Sequence, residues 1–174
     1  MSDIPDGIVL RRHRDLVGRR WHPWVRRSLL GLVAAVSLLA LLNIFGQWPS
    51  TATVAASAAT LEIRSPPAVR GGLLFQARYT VRATRDLKAT TLVLGRGWLD
   101  GLTVNTIEPS PLNEASRYGR LSLELGHIPA GEKHVLYIQY QVNPTTVGSH
   151  TQTVALYDGD ERILTYEKTL RVFP

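Results

Sequence analysis

The sequence predicts an antiparallel β-sandwich of seven or eight strands, preceded by one transmembrane α-helix. Three observations carry that expectation. Ser28 to Phe45 is an uninterrupted apolar run without a charged residue. Phe75, Ala77, Tyr79, Val81 and Ala83 alternate strictly with Gln76, Arg78, Thr80, Arg82 and Thr84. Short runs rich in Val, Leu, Thr and Tyr recur through residues 60–174, divided by Gly, Pro, Asn and Asp, with no helical apolar period.

The apolar run comes first in the chain. As a helix it would measure roughly 27 Å, close to the ~30 Å hydrocarbon core of a bilayer. Trp21 and Trp24 stand before it and Trp48 after it. Tryptophan favours the headgroup zone, where its ring is half dry and its N–H stays wet. The preceding segment holds seven arginines (Arg11, Arg12, Arg14, Arg19, Arg20, Arg26 and Arg27) against Asp3, Asp6 and Asp15, a net charge of +4. The first basic residue after the run is Arg64. Positive flanks remain in the cytoplasm, so the N-terminus is expected inside and the C-terminal bulk outside. The expected organisation is a basic cytoplasmic tail at 1–27, a transmembrane helix at 28–48, a linker at 49–59 and an extracytoplasmic sandwich at 60–174. Trp21, Trp24, Arg26, Arg27 and Trp48 form the expected membrane-interface set.

A cleaved export signal is the alternative to a retained anchor. Ala56-Ser57-Ala58 is a small-residue site of the A-x-A kind, and Arg26-Arg27-Ser28-Leu29-Leu30 is a loose twin-arginine pattern. The apolar run exceeds the 7–15 residues typical of a signal core, and the small-residue site lies well beyond it. Retention is therefore the expectation. The chain has no cysteine, which excludes a lipid-modified lipoprotein and leaves an exported domain to be held by burial alone. Within the run, Gly31 and Ala35 form a small-xxx-small pair, and Asn43 lies near its outer end, in reach of interfacial water.

Ser50–Ala59 (STATVAASAA) suits a stalk or a weak first strand. Leu61–Ser65 is a strand candidate stopped by Pro66-Pro67. Leu73–Thr84 is the clearest strand, with one face for a core and one for water. Ala89–Leu94 follows, then a loop through Gly95, Gly97 and Gly101. Leu102–Glu108 ends at Pro109 and Pro111. Arg120–Leu125 turns Leu121, Leu123 and Leu125 inward, and His134–Val142 does the same with Leu136, Ile138, Tyr140 and Val142. His150–Tyr157 and Arg162–Phe173 are joined by Asp158-Gly159-Asp160, whose residues tolerate the positive φ of a tight hairpin turn.

Several turn motifs carry a resemblance. Val69-Arg70-Gly71-Gly72 leads into the long strand, Gly97-Trp98-Leu99-Asp100-Gly101-Leu102-Thr103-Val104 follows, and Leu125-Gly126-His127-Ile128-Pro129-Ala130-Gly131-Glu132 precedes the penultimate hairpin. Over roughly Glu62 to Val172 this order resembles the Ig-like conserved-repeat domains of bacterial surface and cell-envelope proteins. This chain has one copy rather than a tandem array, and Leu99-Asp100-Gly101 lacks the family's usual proline. The resemblance implies an Ig-like sandwich acting as a spacer or binding module, with no catalytic residues to carry over.

The chemistry-bearing residues point the same way. His127, His134 and His150 are not at metal-ligand spacing, and no cysteine completes a site. Asp158-Gly159-Asp160-Glu161 brings three carboxylates close but lacks the length of a calcium loop. Gly95-Arg96-Gly97 with Gly101 is not a phosphate-loop spacing, and no helix follows it. No G-x-S-x-G elbow marks a nucleophile. Residues 60–174 carry a net charge of only +2, which argues against a nucleic-acid partner. The expected role is a non-enzymatic, cofactor-free accessory module at the cell membrane, contacting a membrane or envelope protein. Its expected contact surface is the sheet face of Arg78 and Arg82, with Trp98 on the next loop as an aromatic anchor. An exported domain with a metal-carrier or enzymatic role is the alternative.

Overall fold

A computed structural model describes residues 21–42 and 48–174. They fall into two units, one ending at Gly46 and one beginning at Gln47. In the first, helix α1 (His22–Leu41) has Pro23 in its first turn and no buried residue. Proline is tolerated there because the first helical N–H groups have no intrahelical acceptor. The helix starts ahead of the apolar run and takes Arg26 and Arg27 into its first turns. It is long and apolar enough to cross a membrane.

The second unit is a two-sheet β-sandwich with eleven strands among the described residues. They are β1 (Ser50–Ala55), β2 (Ala59–Ser65), β3 (Ala68–Arg70), β4 (Leu74–Ala83), β5 (Leu87–Leu94) and β6 (Leu102–Glu108). After these come β7 (Asn113–Arg117), β8 (Arg120–Ile128), β9 (Lys133–Val142), β10 (Gly148–Asp158) and β11 (Glu161–Phe173). The first sheet runs β1-β2-β4-β9-β6, antiparallel throughout. The second runs β3-β11-β10-β5-β8-β7, antiparallel except where β3 lies parallel to β11.

Three strands exceed the sequence expectation. β1 occupies most of the segment read as a linker and pairs with β2 along its full length, so the weak-strand reading of that segment holds and the stalk reading does not. β3 is too short to show a period. Every residue of β7 is exposed, so no apolar alternation marks it. The Asp158–Glu161 hairpin forms where expected, with Gly159 at φ 59°.

The core lies between the sheets. Leu61 and Ile63 of β2, Phe75, Tyr79 and Val81 of β4, and Leu136, Ile138 and Tyr140 of β9 fill one side. Leu92 and Leu94 of β5, Leu121 and Leu123 of β8, and Val154 and Leu156 of β10 fill the other. The outward residues of β4 and β9 are thereby fixed, since a strand that buries one set of alternate positions presents the other to solvent.

Candidate functional site

The outer face of the first sheet carries the residues singled out for binding. Register across it is set by the buried set beneath. Arg64 of β2 lies opposite Arg78 of β4, which lies opposite Tyr137 of β9. Toward the other end of these strands, Arg82 faces Thr60 on one side and Lys133 on the other. Arg78 and Arg82 therefore do share one solvent face.

Their electrostatic situations differ. Arg78 Nη2 donates to Glu62 Oε1 at 2.8 Å, with both side chains about one-third exposed. That bond ties the guanidinium to β2. Arg82 is exposed and, among the described residues, has no acidic partner. Beside Arg78 is a depression of about 250 Å3 lined by Pro49, Arg64, Gln76, Arg78 and Tyr137. Tyr137 is 38% exposed. The sequence reading did not single it out, yet the same alternation that buries Leu136 and Ile138 turns Tyr137 outward. The arrangement offers a phenol ring and several guanidinium donors to an incoming surface.

Trp98 is not part of this face. It ends a 3-10 turn (Arg96–Trp98) and is wholly buried between the sheets. Its ring centre is 5.5 Å from that of Tyr79 and 5.4 Å from that of Tyr140. The expectation of an exposed anchor is corrected: a large ring beside a sheet end gains more from burial than a loop position indicates.

Lys168, half-buried, reaches toward this ring. β11 turns it inward, opposite the buried Gln152 of β10, so it breaks the apolar pattern of its strand. Its Nζ donates to Ser65 Oγ and lies 5.2 Å from the Trp98 ring centre. Burial pulls its pKa from 10.5 down to about 8. A single lysine in an otherwise alternating run gives no warning in the sequence that it lies on the dry side.

The histidines and carboxylates serve local contacts. His127 Nε2 is 2.7 Å from Asp86 Oδ1, and His150 Nδ1 is 3.9 Å from Asp100 Oδ2. His134 is partly desolvated, which lowers its pKa. Asp158 Oδ1 accepts from the Ala89 backbone N–H at 2.9 Å, and Glu161 pairs with Arg85 at 2.6 Å. Among the described residues no three His, Asp or Glu groups converge as metal ligands do.

Of the residues expected at a membrane interface, Trp21 caps α1 and Trp24 lies in its first turn, both exposed. The Arg27 guanidinium stands 5.9 Å from the Trp24 ring centre, within cation–π range. Arg26 shares the helix, and Trp48 lies outside it, exposed, just before β1. Asn43 lies outside the described residues.

No protein-family model matches the sequence, and no curated protein matches it. Similar solved structures are single β-sandwich domains at low identity. The non-cellulosomal cohesin of the archaeon Archaeoglobus fulgidus is 17% identical, with 72% of this chain and 92% of that one covered, at a TM-score of 0.43. The cohesin CaCohA2 of Clostridium acetobutylicum is 14% identical, with 67% and 92% covered, at 0.48. The CARDB domain of the PF1109 protein of Pyrococcus furiosus, solved with two metal ions, is 13% identical, with 73% and 90% covered, at 0.40.

Proposed function

We propose that this chain is a single-pass membrane protein whose sandwich lies outside the cytoplasmic membrane and binds a protein partner, without performing chemistry. The observation that carries the reading is the outer face of the first sheet, where Tyr137 stands beside Arg64 and Arg78, with Arg82 farther along the same face. Tyrosine and arginine are the residue types on which interface energy concentrates. A tether in the same membrane raises the effective concentration of any envelope partner, so a modest face suffices.

The retained anchor is supported by the β1–β2 hairpin. Ala58 and Ala59 are buried, and the Ala58 carbonyl accepts backbone N–H groups from Thr84 and Arg85. Cleavage after Ala58 would strip β1 from β2. The test is co-purification of the tagged full chain from membranes in mild detergent. R82E with Y137A is expected to lose the partner while the domain stays folded. If every partner survives the double variant, this face is not the contact surface. Turnover of a substrate or stoichiometric metal in the purified protein would end the non-enzymatic reading.

A further inference from the structure

The outer face of the second sheet carries a groove of about 320 Å3, on the other sheet from the face just described. Apart from Tyr157 and the arginines, its lining consists of short side chains. A row from Ser122 through Val93 and Ala155 to Thr165 crosses β8, β5, β10 and β11, and none of these exceeds valine in size. The sheet surface is therefore sunken between taller neighbours. Gly95 and Gly97 build one wall. A Cβ on Gly97 would lie 1.8 Å from the Thr151 carbonyl oxygen, and one on Gly95 would lie 2.5 Å from Thr153 Oγ1. Only glycine lets this turn press against β10, and Arg96 between them is brought to the groove.

Three guanidinium groups line the groove: Arg96, Arg120 and Arg162, all exposed. No carboxylate lines it. Among the described residues no ion pair engages any of the three. Arg96 Nε donates to the Tyr118 carbonyl at 3.0 Å, which fixes the side chain without neutralising it. Glu124 and Glu167 share the face, opposite Thr91 and Thr153, but stand outside the groove lining. Uncompensated positive charges around a depression create a field that draws anions.

The spacing narrows the kind of anion. Arg162 of β11 is in register with Tyr157, Thr91 and Glu124, whereas Arg120 lies four residues before Glu124 on β8, so the two stand three strand intervals apart across the sheet and four residues apart along it, about 19 Å between backbones. One phosphate or carboxylate does not bridge that distance. A linear chain with repeated anionic groups does, and an extended peptide rising about 3.3 Å per residue covers it in about six residues. Guanidinium groups pair with carboxylates in a bidentate fork, which lysine does not reproduce. We propose that this groove binds an acidic, extended segment of a partner protein, with Arg120 and Arg162 each taking a carboxylate and Arg96 a third.

The test uses the full chain in a nonionic detergent and a fluorescein-labelled hexaglutamate peptide, read by anisotropy. The wild-type protein is expected to bind, with affinity falling as salt rises. R120E/R162E should weaken binding at least tenfold with an unchanged circular dichroism spectrum, and K88E, at an exposed position outside the groove lining, should bind like wild type. If the double reversal unfolds the protein, R120Q/R162Q gives the same readout. R120K/R162K should fall between wild type and reversal; wild-type affinity in that variant would refute the bidentate fork. The proposal is overturned if wild type fails to bind hexaglutamate or if R120E/R162E binds it equally. It is also overturned if an oligogalacturonate of equal charge binds through these arginines and hexaglutamate does not, since the occupant would then be an acidic polysaccharide.

Discussion

Lys168, half-buried on β11, places its Nζ 5.2 Å from the centre of the Trp98 ring. The ring's negative face and Ser65 Oγ compensate the ammonium in part, but desolvation dominates and lowers its pKa to about 8. The unfolded chain, at the ordinary 10.5, holds this proton more tightly than the folded one. Stability must then rise as pH climbs from about 8 toward 10.5. Tyr79 and Tyr140 act oppositely. Burial raises both above 10, so the unfolded state loses their protons first and stability falls beyond pH 10. Urea unfolding followed from pH 7 to 11 is expected to show a maximum between these limits. K168M should remove the rise and leave the fall.

The Tyr79 and Tyr140 hydroxyls are 3.2 Å apart, and both residues are wholly buried. Either Phe substitution alone strands the remaining hydroxyl and should cost about 1–3 kcal/mol. The double variant Y79F/Y140F should cost less than the sum of the two, because it leaves no orphaned group. A double-mutant cycle by chemical denaturation measures this. Strict additivity would show the hydroxyls do not pair.

Gly97→Ala should destabilise the sandwich by about 1–3 kcal/mol or more, since backbone rather than a flexible side chain occupies the space its Cβ needs. Gly131→Ala meets no atom and is strained only by its φ of 86°. Thermal melts of the two variants should rank Gly97→Ala as the worse.

Ile138 of β9 is wholly buried, opposite Ala77 of β4 and Ile107 of β6. I138D would put an unpaired carboxylate into the core and should cost several kcal/mol, roughly 3 or more. Loss of the cooperative melt is the expected outcome. Q139D, at the neighbouring outward position, should melt close to wild type.

A chain beginning at Ala59 should melt below one beginning at Trp48, because it lacks β1 and leaves an edge of β2 unpaired. In cells, a C-terminal alkaline phosphatase fusion to the full chain should be active. Activity only for a cytoplasmic reporter would reverse the proposed topology.

Wherever burial imposes a local period, the sequence was readable. The strict alternation at Phe75–Ala83 and Leu136–Val142 located β4 and β9, placed Tyr79, Ile138 and Tyr140 in the core and turned Arg78 and Arg82 outward. The apolar run located the helix, although the helix begins earlier, at His22, because helix formation does not stop where hydrophobicity does. What has no local period stayed hidden. β7 buries nothing and β3 spans three residues, so each exists only through the strand it pairs with.

The site divides along the same line. Composition and alternation determined that a basic, outward face exists on β4. They did not determine that Glu62 engages Arg78, that Tyr137 stands beside it, or that Trp98 and Lys168 turn inward. Nor did they show that Arg96, Arg120 and Arg162 meet around one groove, since these come from three separate segments of the chain. Alternation is a property of a single strand and is written in consecutive residues. Which strands become neighbours, and which end of the sandwich closes over a tryptophan, depends on pairings between residues far apart in the chain, and those are decided only when the two sheets pack.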